Sequence, residues 1–297
     1  MSTAPESRPF RFGLVIDSRN TTRDEVIELG RRAEGAGIAI LLGTDHLGRW
    51  ATLPLLQSAA EATSLRIGTF VLNNDLRHPA VLAQVLTTID AMTDGRLEVG
   101  IGAGWNRPEY EAAGMTFDPP PLRLARMRAS VGMLKQAMRD GRIDHTGDRA
   151  YPEIHQEGLV TSTQRPHPPI LIGGGGPRLL AYAAREANII GLDPRSLPEG
   201  GADPEDVTEA AIDRKVAWIR EAAGARWSEL ELNIAIFDPA TRPLPKDAMT
   251  LSPHYLLGES DQIVETLVAR RERWGISYIA LRPDQLDRMS AVIPHLA

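Results

Sequence analysis

Chemistry concentrates at a few short patterns in this chain. The sharpest is Asp45-His46 with Trp50 four residues after the histidine. A histidine that titrates near physiological pH can orient a ring or relay a proton, and an indole beside it can wall a pocket. The plainer alternative is a histidine hydrogen-bonded within its own loop. A second pattern is Gly173-Gly174-Gly175-Gly176-Pro177-Arg178. Free amides at a helix start, with no side chains in the way, form an anion site. Pro177 suits a first helical turn, and Arg178 adds positive charge. The alternative is a flexible turn, but four glycines are entropically costly to order, which favours phosphate binding. Gly102-Ala103-Gly104-Trp105 allows two readings: close approach of a flat ring at Ala103 and Gly104, or tight strand–helix packing. Asn73-Asn74 likewise suits either hydrogen bonding to a pyrimidine-like edge or an Asx turn.

These patterns fall where apolar runs end. Arg11 to Ile16 reads as a strand, and Thr22 with Glu25 three residues on reads as a capping box opening a helix. Further strands are expected at Ile38 to Leu42, Leu65 to Leu72, Leu97 to Ile101, Ile170 to Ile172, Ile189 to Leu192, Leu230 to Phe237 and Tyr278 to Leu281. Helical spacing or helix-start signals lie between them, as at Leu53 to Ala62, after Pro79, at Leu122 to Met138, after Pro177, near Glu205 to Ala223 and near Asp261 to Trp274. Eight strand–helix units imply parallel pairing with right-handed crossovers and favour closure over an open sheet. The expected fold is therefore one α/β domain over residues 1–297, a (β/α)8 TIM barrel with an insertion between strands four and five, from Ala103 to Pro169. Barrel enzymes keep their active sites at the C-terminal strand ends, where every pattern above falls. The glycine run follows strand five, displaced from the usual barrel phosphate site after strands seven and eight.

Composition excludes several classes. The 297 residues contain no cysteine, so disulfides, iron–sulfur clusters and thiol nucleophiles are ruled out. The net charge of -6 gives no basic surplus for nucleic acid. There is no Gly-Lys pair for a phosphate loop, no G-x-G-x-x-G, no H-E-x-x-H and no G-x-S-x-G. The seven histidines are scattered, so no metal is expected. No run approaches the ~20 apolar residues of a membrane helix, and the polar start lacks a signal-peptide core. A cytoplasmic enzyme with a small-molecule substrate is the expectation.

From Phe10 to about Leu281 the sequence resembles the luciferase-like oxidoreductases, most closely their coenzyme F420-dependent branch. The resemblance is carried by Thr44-Asp45-His46, Ile67 to Leu72, Arg77-His78-Pro79 and Asp94-Gly95-Arg96-Leu97. It continues in Gly102 to Trp105 with Glu109-Tyr110, in Gln164 to Pro169 and in Gly173 to Pro177. It implies a flavin or 5-deazaflavin cofactor bearing a phosphate, either F420 or, alternatively, FMN reduced by a separate reductase. It also implies a homodimer and a non-prolyl cis peptide behind the ring, at Phe70-Val71. Asp45, Asn73, Ala103, Gly104, the four glycines and Arg178 would then hold cofactor. Some F420-dependent dehydrogenases of the family use a D-H-x-x-x-W pattern for a catalytic histidine and a pocket tryptophan, matched here by Asp45, His46 and Trp50. Its sugar-phosphate dehydrogenases carry a catalytic glutamate where this chain has Trp105. Glu109, one helical turn later, reads either as a replacement acid or as a solvated loop carboxylate, and is grouped with Trp105 in the substrate pocket. The resemblance thus implies hydride transfer between the deazaflavin C5 and a small organic substrate. An FMN monooxygenase and a non-catalytic flavin-binding barrel are the alternatives.

Overall fold

A computed structural model describes residues 8–19, 21–195, 197, 203–239 and 246–296. Its elements, in order, are β1 (Arg11–Ile16), α1 (Arg23–Gly35), β2 (Ile40–Gly43), α2 (Thr52–Ala62), β3 (Arg66–Thr69), β4 (Leu72–Asn73) and α3 (Pro79–Met92). There follow β5 (Leu97–Gly102), α4 (Arg107–Ala112), α5 (Pro120–Asp140), β6 (Ile143–His145), β7 (Ile154–Gln156), β8 (Ile170–Gly174), α6 (Pro177–Glu186) and β9 (Ile189–Leu192). The chain continues with α7 (Glu209–Ala223), β10 (Glu231–Ala235), α8 (Lys246–Thr250), α9 (Ser260–Trp274), β11 (Ile276–Leu281) and α10 (Leu286–Ser290).

The strands pair in parallel in the order β3-β2-β1-β11-β10-β9-β8-β5, and β3 pairs with β5 to close the ring. With β4 continuing β3 along β5, this is a closed eight-stranded parallel barrel, the expected TIM barrel. The capping box forms as read: the Thr22 side chain accepts from the Glu25 amide and the Glu25 side chain reaches the Thr22 amide. Most of the apolar core lies between strands and helices, while Val15, Ile40, Leu42, Leu171, Ile189, Tyr278 and Ala280 fill the barrel interior. The N-terminal end of the interior is closed by charge. Arg11 pairs with Glu98 and, at 2.6 Å, with Glu231, and Arg66 pairs with Glu98 at 2.8 Å. Burial disfavours the Arg11 charge, but Glu98 and Glu231 outweigh it and hold the guanidinium protonated.

Two departures from the sequence reading shape the opposite end. The third strand, expected unbroken from Leu65 to Leu72, breaks after Thr69, and Phe70-Val71 is the cis peptide that the resemblance implies. Gly68 lies opposite Glu98 and Leu72 opposite Ile101, so four steps on one strand match three on the other. This is a one-residue bulge. Where the ladder breaks, the Thr69 hydroxyl substitutes for it, donating to Gly100 O at 2.7 Å and accepting from Gly100 N at 2.9 Å. The polar part of the connection at 103–169 is also more ordered than expected, holding α4 and an antiparallel β6–β7 hairpin.

The bulge constrains its neighbour. A Cβ on Gly100 would collide with the Thr69 carbonyl oxygen, and one on Gly102 would stand 2.9 Å from Val71 Cγ2. Gly132, on exposed α5 surface, has open space around its Cβ position. Gly100→Ala is expected to destabilise the fold by about 3 kcal/mol through overpacking. Gly132→Ala is expected to stabilise it by about 0.5–1 kcal/mol through helix propensity. Denaturant unfolding of both variants checks the contrast, and equal effects would contradict the packing described.

Candidate active site

The C-terminal ends of β2, β4, β5 and β8 are neighbours on one rim of the barrel. The loops leaving them carry most of the residues singled out from sequence. His46 Nδ1 lies 2.5 Å from Glu109 Oε1, and both side chains are half-buried, 17% and 14% exposed. A carboxylate is only an acceptor, so Nδ1 carries the hydrogen of this contact and Nε2 is the ring nitrogen left outside it. Glu109 is therefore not the solvated loop carboxylate that its sequence context suggests: α4 turns it back toward the rim. The Trp105 ring stands edge-on to His46, with centroids 5.9 Å apart. Trp50 and Trp105 are each 51% exposed and Leu47 is 45% exposed, giving the rim a large apolar surface.

Asp45 is buried and committed to the protein. Its carboxylate takes a two-pronged contact from Arg77 at 2.6 and 2.8 Å and accepts the Asn73 amide at 3.0 Å. It ties the β2 loop to the β4 loop. Asn73 Oδ1 accepts from the Asp75 amide at 3.1 Å, the Asx-turn arrangement, and from the Tyr110 hydroxyl at 3.0 Å. Gly104 has φ +77° and passes so close to Tyr110 and Asn73 that any Cβ would strike the Tyr110 oxygen. At Gly104, then, the tight-packing alternative describes the local contacts. The Ala103 and Gly104 carbonyls accept from Arg123 of α5. Burial lowers the Arg123 pKa, against Tyr110 and Asp75.

Phe70 and Val71 are half-buried and pack on the interior cluster, forming an apolar floor at the mouth. The glycine run divides. A Cβ on Gly173 would stand 2.5 Å from the Asp193 carboxylate, one on Gly174 would strike Leu179, and one on Gly175 would stand 2.5 Å from the Arg195 amide. Gly176 has nothing within 4 Å of its Cβ position, and it is the N-cap of α6 without side-chain capping. Three glycines thus admit the 193–195 loop and Leu179, and the fourth opens a helix start with free amides. Arg178 is exposed and lines a separate cavity beside this loop. Below it, buried Lys215 donates to Asp193 O at 2.9 Å and pairs with Asp206 at 2.9 Å, while Asp206 accepts the Arg195 amide at 2.8 Å. Ser18 Oγ and Thr44 Oγ1, at the ends of β1 and β2, are buried without a hydrogen-bond partner.

Sequence reading missed Arg77, Tyr110, Arg123, Asp193 and Lys215 as supports. Asp193 directly follows the sixth barrel strand, a position that itself marks it for attention. Arg77 and Tyr110 belong to recognised motifs without an assigned role. Arg123 and Lys215 carry no signal, since their importance depends on where their helices return.

The fold and rim are those of a (β/α)8 barrel with its candidate site at the C-terminal strand ends. Residues 9–228 match the luciferase-like monooxygenase family, and the chain belongs to that family. It is 29% identical over 188 residues to an F420-dependent glucose-6-phosphate dehydrogenase of Kineococcus radiotolerans, covering 60% of this chain and 55% of that one. It is 28% identical over 214 residues to the enzyme so named from Microbacterium testaceum, covering 69% and 61%. The chain thus spans little more than half the length of these relatives. The coenzyme F420-dependent tetrahydromethanopterin reductase of Methanopyrus kandleri superposes with a TM-score of 0.75 at 17% identity, over 98% of this chain and 100% of that one. That likeness establishes the shared fold.

Tyr110 links the rim to alkaline stability. Burial and then Asp75 push its pKa up to about 12. An unfolded tyrosine titrates near 10, so between about pH 10 and 12 the unfolded state binds fewer protons and stability falls as pH rises. Tyr110→Phe is expected to flatten that fall in denaturant unfolding measured from about pH 9 to about pH 11. An unchanged slope would contradict the burial and contacts assigned to this hydroxyl.

Proposed function

We propose that this protein is a coenzyme F420-dependent oxidoreductase that moves hydride between the deazaflavin C5 and a small, largely apolar alcohol or carbonyl compound. The observation that carries the reading is the His46–Glu109 contact beside the apolar floor at Phe70-Val71. When bound, a 5-deazaflavin supplies a two-electron hydride acceptor or donor. Removing hydride from an alcohol carbon leaves a carbonyl only if the hydroxyl proton also departs, so a proton acceptor must stand beside the mouth. His46 Nε2 has the free lone pair for that proton, and Glu109 fixes the tautomer and stabilises the imidazolium that forms. In the reverse direction the same nitrogen returns the proton to the oxygen. Monooxygenation would not call for this pair in the same way.

The remaining residues suit the same cofactor. Val71, above Gly100 and Gly102, offers a flat apolar support for a tricyclic ring. The open Gly176 and the uncapped start of α6 suit a phosphate, with the amides of Gly174 to Gly176 nearby. The unpaired hydroxyls of Ser18 and Thr44 suit polar ring or ribityl atoms. Trp50, Trp105 and Leu47 would cover an apolar substrate and exclude water. Trp105, at the position of the sugar-phosphate dehydrogenases' glutamate, argues against a sugar phosphate. A homodimer belongs to the same reading. Val81, Val85 and Met92 form an exposed apolar stripe on one face of α3 that such an assembly would cover. No described helix is long and apolar enough to cross a membrane.

Titration of the protein with F420 and with FMN, followed by fluorescence, tests the cofactor. Saturable binding of F420 and at least tenfold weaker FMN is expected, a difference of about 1.4 kcal/mol. Tight FMN with no F420 binding, and oxygen consumption with reduced FMN, would overturn the reading. In assays against alcohols and ketones, His46→Asn is expected to lower kcat by about 100-fold or more, with F420 affinity changed less than about threefold. Glu109→Gln should lower kcat in the same direction, and Glu109→Asp should restore part of it. A Glu109→Gln enzyme as active as the parent would remove Glu109 from the mechanism.

A further inference from the structure

A cavity of about 530 Å³ lies between α5, the loop of the β6–β7 hairpin and the first turn of α6. Leu124, Ala125, Arg128, His145, Asp148 and Arg178 are among its lining residues. It adjoins the rim on two sides. Arg123, next to Leu124, reaches the Ala103 and Gly104 carbonyls, and Arg178 lies two residues beyond the open Gly176.

The chemistry of the lining is cationic and unfinished. Among the described residues neither Arg128 nor Arg178 has an ion-pair partner. Arg128 instead donates to the Arg178 carbonyl at 3.0 Å and lies 5.0 Å from the Tyr182 ring centroid. Arg128 Nε and His145 Nε2 are both buried without a hydrogen-bond partner, the latter 3.7 Å from Asp148 Oδ1. Orphaned donors of this kind call for an acceptor that completes them. Asp148 meets it only in part: at 3.7 Å it lies beyond hydrogen-bond distance of His145 Nε2, and its Oδ1 already accepts the Ala150 and Tyr151 amides at 2.6 and 3.0 Å. The uncapped amides of α6 add positive potential at the same edge. A second cavity of about 480 Å³, lined by Asp75, Arg77, Asp118 and Arg126, differs in kind. There Arg77 is paired with Asp45, and Arg126 with Asp75 and Asp118, so its charges cancel.

The geometry points to an anion subsite for a cofactor that continues past its phosphate: the α5–α6 cavity binds a negatively charged tail, through Arg128, Arg178 and His145. This rests on the F420 reading, because FMN ends at its phosphate and would leave the cavity empty of charge. The tail's carboxylates would accept from the two guanidiniums and from the orphaned His145 nitrogen, while the phosphate stays at the Gly176 end.

The test is a fluorescence titration with F420 bearing its oligoglutamate tail and with F420 trimmed of its glutamates. The parent protein is expected to bind the long form about tenfold more tightly, with the gap closing as salt screens the contact. The Arg128→Gln, Arg178→Gln double variant should bind both forms alike, at the parent's affinity for the trimmed form. Its binding of the trimmed form also shows that it is folded. His145→Gln should reduce the preference less than the double variant does. Equal affinities of the parent for the two forms, or a preference that survives in the double variant, would overturn the subsite while leaving the cofactor reading intact. Failure of the parent to bind either form would overturn both.

Discussion

Gly100, Gly102 and Gly104 stand at alternate positions from β5 into its loop, and each admits a neighbour that a side chain would exclude. The Thr69 carbonyl fills the space at Gly100, Val71 that at Gly102, and the Tyr110 hydroxyl and Asn73 that at Gly104. This close approach lets the third barrel strand bulge without losing its register on β5. It sets Val71 across the mouth, and it brings α4 close enough for Glu109 to meet His46. A methyl group at any of the three positions would push the floor, the loop or the helix outward.

Around that strand the rim is held by charges paired within the protein. Asp45 and Arg77 lock the β2 and β4 loops, Arg123 holds the loop after β5, and Lys215 with Asp206 anchors the loop that packs on Gly173 to Gly175. Each is an ion pair or charge-assisted bond with at least one buried partner, so losing a member would strand a charge or donors rather than merely delete a contact. The rim is therefore pre-organised, while the groups around its mouth left to meet ligand include His46, the exposed indoles, the open start of α6 and the buried hydroxyls of Ser18 and Thr44. Such a division suits hydride transfer, which depends on fixed distance and exclusion of water more than on side-chain chemistry.

The barrel was legible because its signals are local. Alternation in Leu97, Val99 and Ile101, and the capping box at Thr22, fix elements from neighbouring residues alone. The hairpin at β6–β7 was not, since three-residue strands with only Ile143 fully buried leave no apolar alternation to read. The bulge became legible only through family resemblance, because Ile67 to Leu72 reads as one unbroken strand. At the site, His46 and the glycine run stand out by type and position. For Glu109 the sequence leaves two readings open, because its partner is 63 residues away and only the turn of α4 brings the two together. Asp45 shows the converse: a carboxylate beside a histidine suggests ligand binding, yet Arg77, 32 residues on, already occupies it.

The account stands or falls on whether one ring can lie on Val71 within reach of His46 while its phosphate reaches the start of α6. A crystal structure of the protein with F420 measures this directly. The expected density shows the tricyclic ring against Val71, the phosphate on the amides near Gly176, and C5 on the side facing His46. A ring bound elsewhere, or one whose phosphate lies away from α6 with His46 beyond contact of any substrate at C5, would contradict it.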